Sequence, residues 1–171
     1  MSENICVIPG TFDPVTNGHL DVILRASKIF DKIYIASFDH SAGFDHSVKK
    51  TMFSSDDRRE MLKLACKDLI DSGKVIIDTI DETSELLVDY AQSKKAGFVV
   101  RGVRNIGDYE YEYSLSLIYR KIGNNIDTVI FPAKSEHLYI SSTFVREMIL
   151  YKRDVSEYVP EKVNQYIKSI I

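Results

Sequence analysis

The chain has only two cysteines among 171 residues, and neither stands at metal-ligand or disulfide spacing, which excludes a disulfide framework and a cysteine-built metal centre. Cys6 falls in an apolar strand-like run and Cys66 in a helix-like stretch, so both read as core. It also lacks an excess of either charge. With 22 basic and 25 acidic residues the net charge is -3, and the pI is about 5.8. That leaves no electrostatic footprint for duplex nucleic acid or an anionic membrane, and any anionic partner must be met by a local cluster. Long apolar runs are missing too. The opening segment Met1 to Pro9 has no basic region, and its apolar stretch is too short for a signal sequence or a span, so a cytoplasmic enzyme is expected. Linkers and low-complexity tracts are absent, and 44% hydrophobic residues suffice for one core, so residues 1–171 are expected to form a single domain.

Five apolar runs have strand length and are rich in β-branched or aromatic residues: Ile5 to Ile8, Ile33 to Phe38, Val75 to Ile77, Phe98 to Val100 and Thr128 to Phe131. Helix-period stripes lie between them, at Leu20, Ile23, Leu24 and Phe30, at Leu62, Ala65, Cys66 and Leu69, and at Leu86, Leu87, Tyr90 and Ala91. Strands alternating with helices predict an α/β fold, a Rossmann-like and mostly parallel sheet of about five strands with helices on both faces. After Phe131-Pro132 the pattern turns helical, with Ser141 or Ser142 as a cap and Pro160 opening a last helix.

Ligands of such sheets bind beyond the carboxyl ends of the strands. The turn after the first strand, Pro9 to His19, has neither the G-x-G-x-x-G of dinucleotide binders nor a P-loop, which counts against hydride transfer and P-loop kinases. Gly10 permits close backbone approach, Thr16 or Asn17 caps the next helix, and His19 in its first turn stands where free N–H groups attract a triphosphate. At Ile140 to Arg146, three hydroxyls in a row at a helix start exceed what a cap needs and suit phosphate oxygens, the alternative being a Ser-rich cap with Arg146 in a surface ion pair. Val100 to Arg104 puts two arginines around a glycine at a strand exit, and Tyr111 and Glu112 are expected to open the next helix and face a base or ribose. A local duplication, Phe38 to Gly43 and Phe44 to Lys49, precedes Lys49 and Lys50; its repeated Asp-His pairs read as a flexible lid or insertion rather than a metal site.

Together, Pro9-Gly10-Thr11-Phe12-Asp13-Pro14 with Thr16-Asn17-Gly18-His19, Arg101-Gly102-Val103-Arg104 with Tyr111-Glu112, and Ile140-Ser141-Ser142-Thr143 resemble the bacterial phosphopantetheine adenylyltransferases nearly end to end. The resemblance implies transfer of AMP from ATP to 4′-phosphopantetheine, giving dephospho-coenzyme A and pyrophosphate, with Mg²⁺ on the ATP and a homohexameric assembly. It implies catalytic roles for His19, Lys49 and Arg101, and acceptor contacts from Thr11, Lys49, Leu87 and Arg101. It places Thr11, Phe12, His19, Gly102, Val103, Arg104, Glu112, His137, Leu138, Tyr139, Ile140, Ser141, Ser142 and Thr143 around ATP, and no protein ligand on the metal. Two departures stand out. The loop ahead of Lys49 is longer than the family's, leaving Lys49 or Lys50 at the substrate position, and Tyr119 stands where the family has asparagine.

The implied acceptor is already anionic, so attack on the α-phosphorus needs positioning and charge neutralisation rather than a general base. Rival readings are a sister enzyme with nicotinamide mononucleotide or glycerol phosphate as partner, a nucleotide-binding regulator without turnover, and a fragment of an aminoacyl-tRNA synthetase. The last is disfavoured by a short acidic chain without an RNA-binding appendage.

Overall fold

A computed structural model describes residues 3–39, 51–81 and 85–171. All five apolar runs form strands: β1 (Ile5–Gly10), β2 (Lys32–Asp39), β3 (Val75–Asp81), β4 (Phe98–Val103) and β5 (Asp127–Pro132). They make one parallel sheet in the order β3-β2-β1-β4-β5. The helices among the described residues are α1 (Asn17–Ala26), α2 (Ser55–Ala65), α3 (Lys67–Asp71), α4 (Leu87–Ser93), α5 (Ile106–Ile122), α6 (Ser142–Leu150) and α7 (Glu161–Ile170).

A parallel sheet is stable only when both faces are covered, and the strand residues divide accordingly. Cys6, Ile8, Ile33, Ile35, Val75, Ile77 and Val100 pack on one face against Ile23 of α1, Met61 and Leu62 of α2, Val145 of α6 and Val163 and Ile167 of α7. Val7, Ala36, Ile80 and Val99 pack on the other against Val88, Tyr90 and Ala91 of α4, with Tyr119 of α5 at the margin. Each fully buried Val, Ile or Leu contributes roughly 1.5–3 kcal/mol of transfer free energy, so both layers are well supported.

Side-chain caps fix the helix starts that face the site. Thr16 rather than Asn17 caps α1, accepting from the His19 N–H, and Ser141 rather than Ser142 caps α6, accepting from the Phe144 N–H. Asn105 caps α5 by accepting from the Asp108 N–H, so that helix begins well before Tyr111 and Glu112, which lie in its second turn rather than at its opening. Two stripes are also interrupted. The first helix ends at Ala26, so Phe30 reaches the core from a turn and Leu24 is left exposed, while the backbone breaks at Cys66 between α2 and α3.

Strand order places a topological switch between β1 and β4, where chain crossovers depart in opposite directions. Pairing of β1 with β2 runs to Gly10 opposite Ser37, and pairing of β4 with β5 runs to Val103 opposite Pro132. Pairing between β1 and β4 stops at Val7 opposite Val99, so the two strands part before their ends. Pro9 has no N–H to offer across that gap.

On the other side of β1, at the ends of β1 and β2, lies Arg58 of α2, only 1% exposed, whose Nη1 donates to the carbonyls of Thr11 at 2.7 Å and Phe38 at 2.8 Å. Burial pulls its pKa down, and the nearby carboxylates of Asp13 and Asp39 oppose that fall. One cation thus ties the β1–α1 turn to the end of β2. Replacing Arg58→Met should remove both charge-assisted hydrogen bonds of this buried tie and cost about 3 kcal/mol of folding stability, read from urea unfolding midpoints; a loss below about 0.5 kcal/mol would show the tie to be dispensable.

Candidate active site

The parted strands open into a cleft of about 730 Å³, lined by Ile8 to Asp13, by Thr16, Gly18, His19 and Val22 of the first turn and helix, and by Val100 to Arg104 of β4 and its exit. The start of α5 and the segment from Ala133 through Ser141 to Arg146 complete the wall. Ends of three strands and the starts of three helices therefore converge on one space. That is the size and position at which an α/β sheet holds a small ligand.

Gly10 is required here by its own neighbour, because a Cβ added to it would lie 3.0 Å from the Phe12 ring. Phe12 adopts a left-handed backbone with φ of 50°, an unfavourable region for a bulky residue, and its buried ring meets the His19 imidazole edge-on at 5.1 Å between centroids. Gly102 is equally constrained, since a Cβ there would stand 2.9 Å from a methyl of Val22.

His19 is held by the cap it helps to build. The Thr16 N–H donates to Nδ1 at 3.0 Å and the Thr16 hydroxyl lies 3.1 Å from the same atom, so in the neutral ring the proton resides on Nε2. Burial lowers its pKa to about 4, with Arg104 and Arg101 contributing further. At neutral pH this side chain is a fixed hydrogen-bond donor without charge.

Three arginines face the cleft, and each is held by a carboxylate. Arg101 donates to Glu112 Oε1 at 2.6 Å and, with Nη1, to the Pro9 carbonyl at 2.9 Å, across the gap where strand pairing has ended. Arg104 pairs with Asp108 at 3.1 Å and reaches the Ile140 carbonyl at 3.4 Å. Arg146 lies 3.5 Å from Asp13 Oδ2 and bonds the Thr143 hydroxyl at 3.1 Å. Three arginines are thus matched by the three lining carboxylates, so the cleft meets an anion with fixed, directed donors rather than with an excess of positive charge.

Chain geometry behind the cleft is fixed as well. Asp21, buried in α1, binds Lys134 at 2.7 Å and Arg25 at 3.2 Å, which anchors the connection from β5 to the single turn Ser135–His137. Its burial favours the neutral acid, but these two cations outweigh that and lower its pKa. Ser142 Oγ donates to the Pro14 carbonyl at 2.8 Å, docking α6 on the β1–α1 turn. Two buried polar atoms of lining residues, Glu112 Oε2 and His137 Nδ1, have no hydrogen-bond partner among the described residues. Buried polar atoms seldom stay unpaired, and both suit polar groups of a ligand.

Of the residues singled out in the sequence, Thr11, Phe12, His19, Arg101, Gly102, Val103, Arg104, Glu112, His137, Ile140, Ser141, Ser142 and Thr143 all line this cleft. Leu87, Leu138 and Tyr139 are not among the described residues that line it. Leu87 packs on the second core layer, Leu138 is exposed, and Tyr139 turns toward Tyr158, 6.3 Å between ring centroids. Lys49, Lys50 and most of the duplicated loop lie outside the described residues. Sequence reasoning assigned nothing to Asp13, whose side-chain partners Met52 and Phe53 lie 39 and 40 positions away, nor to Thr51 on the cleft wall. The Pro9 to Pro14 motif contained Asp13 without revealing these pairings.

Known proteins resemble the chain in sequence and in fold. The model of the cytidylyltransferase-like family matches residues 7–148. The phosphopantetheine adenylyltransferase of Nautilia profundicola is 40% identical over 92% of this chain and 94% of its own, and that of Vesicomyosocius okutanii is 39% identical over 97% and 98%. A Vibrio parahaemolyticus protein assigned as a nicotinate-nucleotide adenylyltransferase shares the fold with a TM-score of 0.72 at 16% identity, over 98% of this chain and 93% of that one.

The His19 environment has a measurable consequence. Its imidazole should titrate with a midpoint near pH 4 in the free protein, with Nε2 protonated above it, as read by nitrogen-detected NMR. Between pH 6.5 and 4 the unfolded chain binds a proton there that the folded chain does not, so His19 makes stability fall as pH drops through that window. A midpoint near 6.5 would contradict the buried, arginine-flanked setting.

Proposed function

The chain belongs to the cytidylyltransferase-like family and, within it, to the phosphopantetheine adenylyltransferases, and from that footing we propose how its cleft carries out AMP transfer from ATP to 4′-phosphopantetheine. The products are dephospho-coenzyme A and pyrophosphate, a step of coenzyme A biosynthesis. The observation that carries the assignment of roles is the convergence of His19, Arg101, Arg104 and the Ser141 to Thr143 helix start on one space.

In this reading an oxygen of the acceptor phosphate attacks the α-phosphorus of ATP as the bond to the β-phosphate bridging oxygen breaks, and pyrophosphate leaves with that electron pair. No proton need move, so no general base is required, and the cleft supplies fixed donors instead. Neutral His19 directs its Nε2–H at the oxygens of the α-phosphate as charge builds in the transition state. Arg101, with Thr11 beside it, holds the acceptor phosphate, and Lys49 adds a second cation to that phosphate. Arg104, Arg146 and the hydroxyls of Ser141 and Thr143 grip the leaving phosphates, and Ser142, whose hydroxyl is spent on Pro14, contributes through the backbone N–H groups at the start of α6 that face the same charge. Phe12, Gly102, Val103, Glu112 and the stretch His137 to Ile140 enclose the nucleoside. Leu87 and Tyr119 belong with the acceptor's pantetheine arm on the α4 side.

Magnesium enters as Mg-ATP. The lining carboxylates Asp13, Asp108 and Glu112 are each engaged by an arginine, which suits an ion carried by triphosphate oxygens and water rather than by a protein cage. The assembly is a homohexamer in the cytoplasm. Support comes from α5, whose only buried residue is Glu112 while Ile106, Tyr109, Tyr113 and Leu117 are exposed at helical spacing on one face, which suits burial against other copies. No helix among the described residues is long and apolar enough to cross a membrane.

Purified protein with Mg-ATP should release pyrophosphate only when 4′-phosphopantetheine is present, and not with nicotinamide mononucleotide in its place. Release with the second acceptor would move the chain to a sister activity, and ATP binding without release would mark a regulator. His19→Ala should lower kcat by about 10²–10³-fold while changing the ATP dissociation constant far less; lost ATP binding with kcat retained at saturation would refute its role.

A further inference from the structure

Asp13 puts a carboxylate, 2% exposed, in the wall of a cleft built for anions. A buried negative charge so placed opposes polyphosphate binding unless it is committed elsewhere. Here it is fully committed. Oδ1 accepts the Phe53 N–H and Oδ2 the Met52 N–H, both at 2.9 Å, which pins the carboxylate to the chain just ahead of α2. The Arg146 Nη1 lies 3.5 Å from Oδ2 and donates to the Asp13 carbonyl at 2.6 Å, while its Nη2 donates to Thr143 Oγ1 at 3.1 Å. One guanidinium therefore spans from the β1–α1 turn to the hydroxyl row of α6, in a single orientation. An unrestrained arginine forfeits rotamer freedom when it grips a ligand, and this one has already surrendered much of it.

We propose that Asp13 is a positioning residue for ATP: its carboxylate, pinned by the backbone of Met52 and Phe53 and 3.5 Å from Arg146, fixes the turn whose own carbonyl takes the 2.6 Å bond that aims the Arg146 guanidinium at the triphosphate. The identity of that anion rests on the adenylyltransferase reading. A purely structural staple between the turn and α2 would make the same backbone bonds without depending on Arg146, and this difference can be measured.

Mg-ATP dissociation constants, taken by calorimetry without acceptor, should be compared for the wild type, Asp13→Asn, Arg146→Met and the double variant. Each single variant should weaken binding about tenfold, and the double should be no weaker than the worse single by more than about twofold, because both remove one aimed group. Losses that multiply to about a hundredfold would overturn the proposal, as would unchanged or tighter ATP binding in folded Asp13→Asn. Should Asp13→Asn fail to fold, Arg146→Lys decides: it keeps the charge but cannot span the Asp13 carbonyl and Thr143, so binding as weak as that of Arg146→Met supports the proposal and wild-type affinity overturns it. Pyrophosphate release by the wild type with 4′-phosphopantetheine, measured alongside, separates the two failures. A wild type inactive with that acceptor defeats the adenylyltransferase reading, whereas an active wild type with uncoupled variants defeats only the role of Asp13.

Discussion

Everything at the site depends on the early parting of β1 and β4. Two parallel strands that stayed paired to their ends would fill the switch point with backbone hydrogen bonds and leave no room for a ligand. Their register would bring Pro9 opposite Arg101 if pairing continued past Val7 and Val99. Proline has no N–H to give there, and the Pro9 carbonyl is taken by the Arg101 side chain in place of a backbone donor. A lost rung of the ladder thereby becomes a cation fixed at the floor of the cleft.

The same logic of local exchange runs through the rest of the wall. A serine or threonine side chain caps α1 and α6 and satisfies one orphan N–H of each, while the Asn17 N–H of α1 goes to the Tyr158 carbonyl. Each cleft arginine has a carboxylate that holds its fork still without cancelling the donors of the remaining face. Electrostatic preorganisation of this kind requires a rigid frame, and the two core layers on either side of the sheet provide it.

The five strands and their alternation with helices were legible because buried parallel strands are continuous apolar runs, a signal carried by neighbouring residues alone. The glycine, serine and arginine segments at the strand exits were legible for a similar reason, since each places its chemistry within a few positions. What stayed hidden depends on distant pairing. Nothing adjacent in the sequence marks Arg58, yet it is buried and bridges Thr11 and Phe38. The stripe from Leu62 to Leu69 concealed a break at Cys66, because periodicity registers side chains and not backbone angles. Asn105 went unnoticed as the cap of α5, and so Glu112 was expected at a helix opening when it lies a turn further on, against Arg101.

Order of synthesis gives the docking of α6 on the β1–α1 turn another meaning. Asp13 meets Met52 and Phe53 within the first third of the chain, so that part of the frame can form as soon as β1, β2 and the start of α2 have left the ribosome. Arg146 and the hydroxyls of Ser142 and Thr143 arrive much later. A nascent chain therefore holds only half of this cradle until α6 emerges, and the contacts of Arg146, Ser142 and Thr143 close it only when the protein is nearly complete.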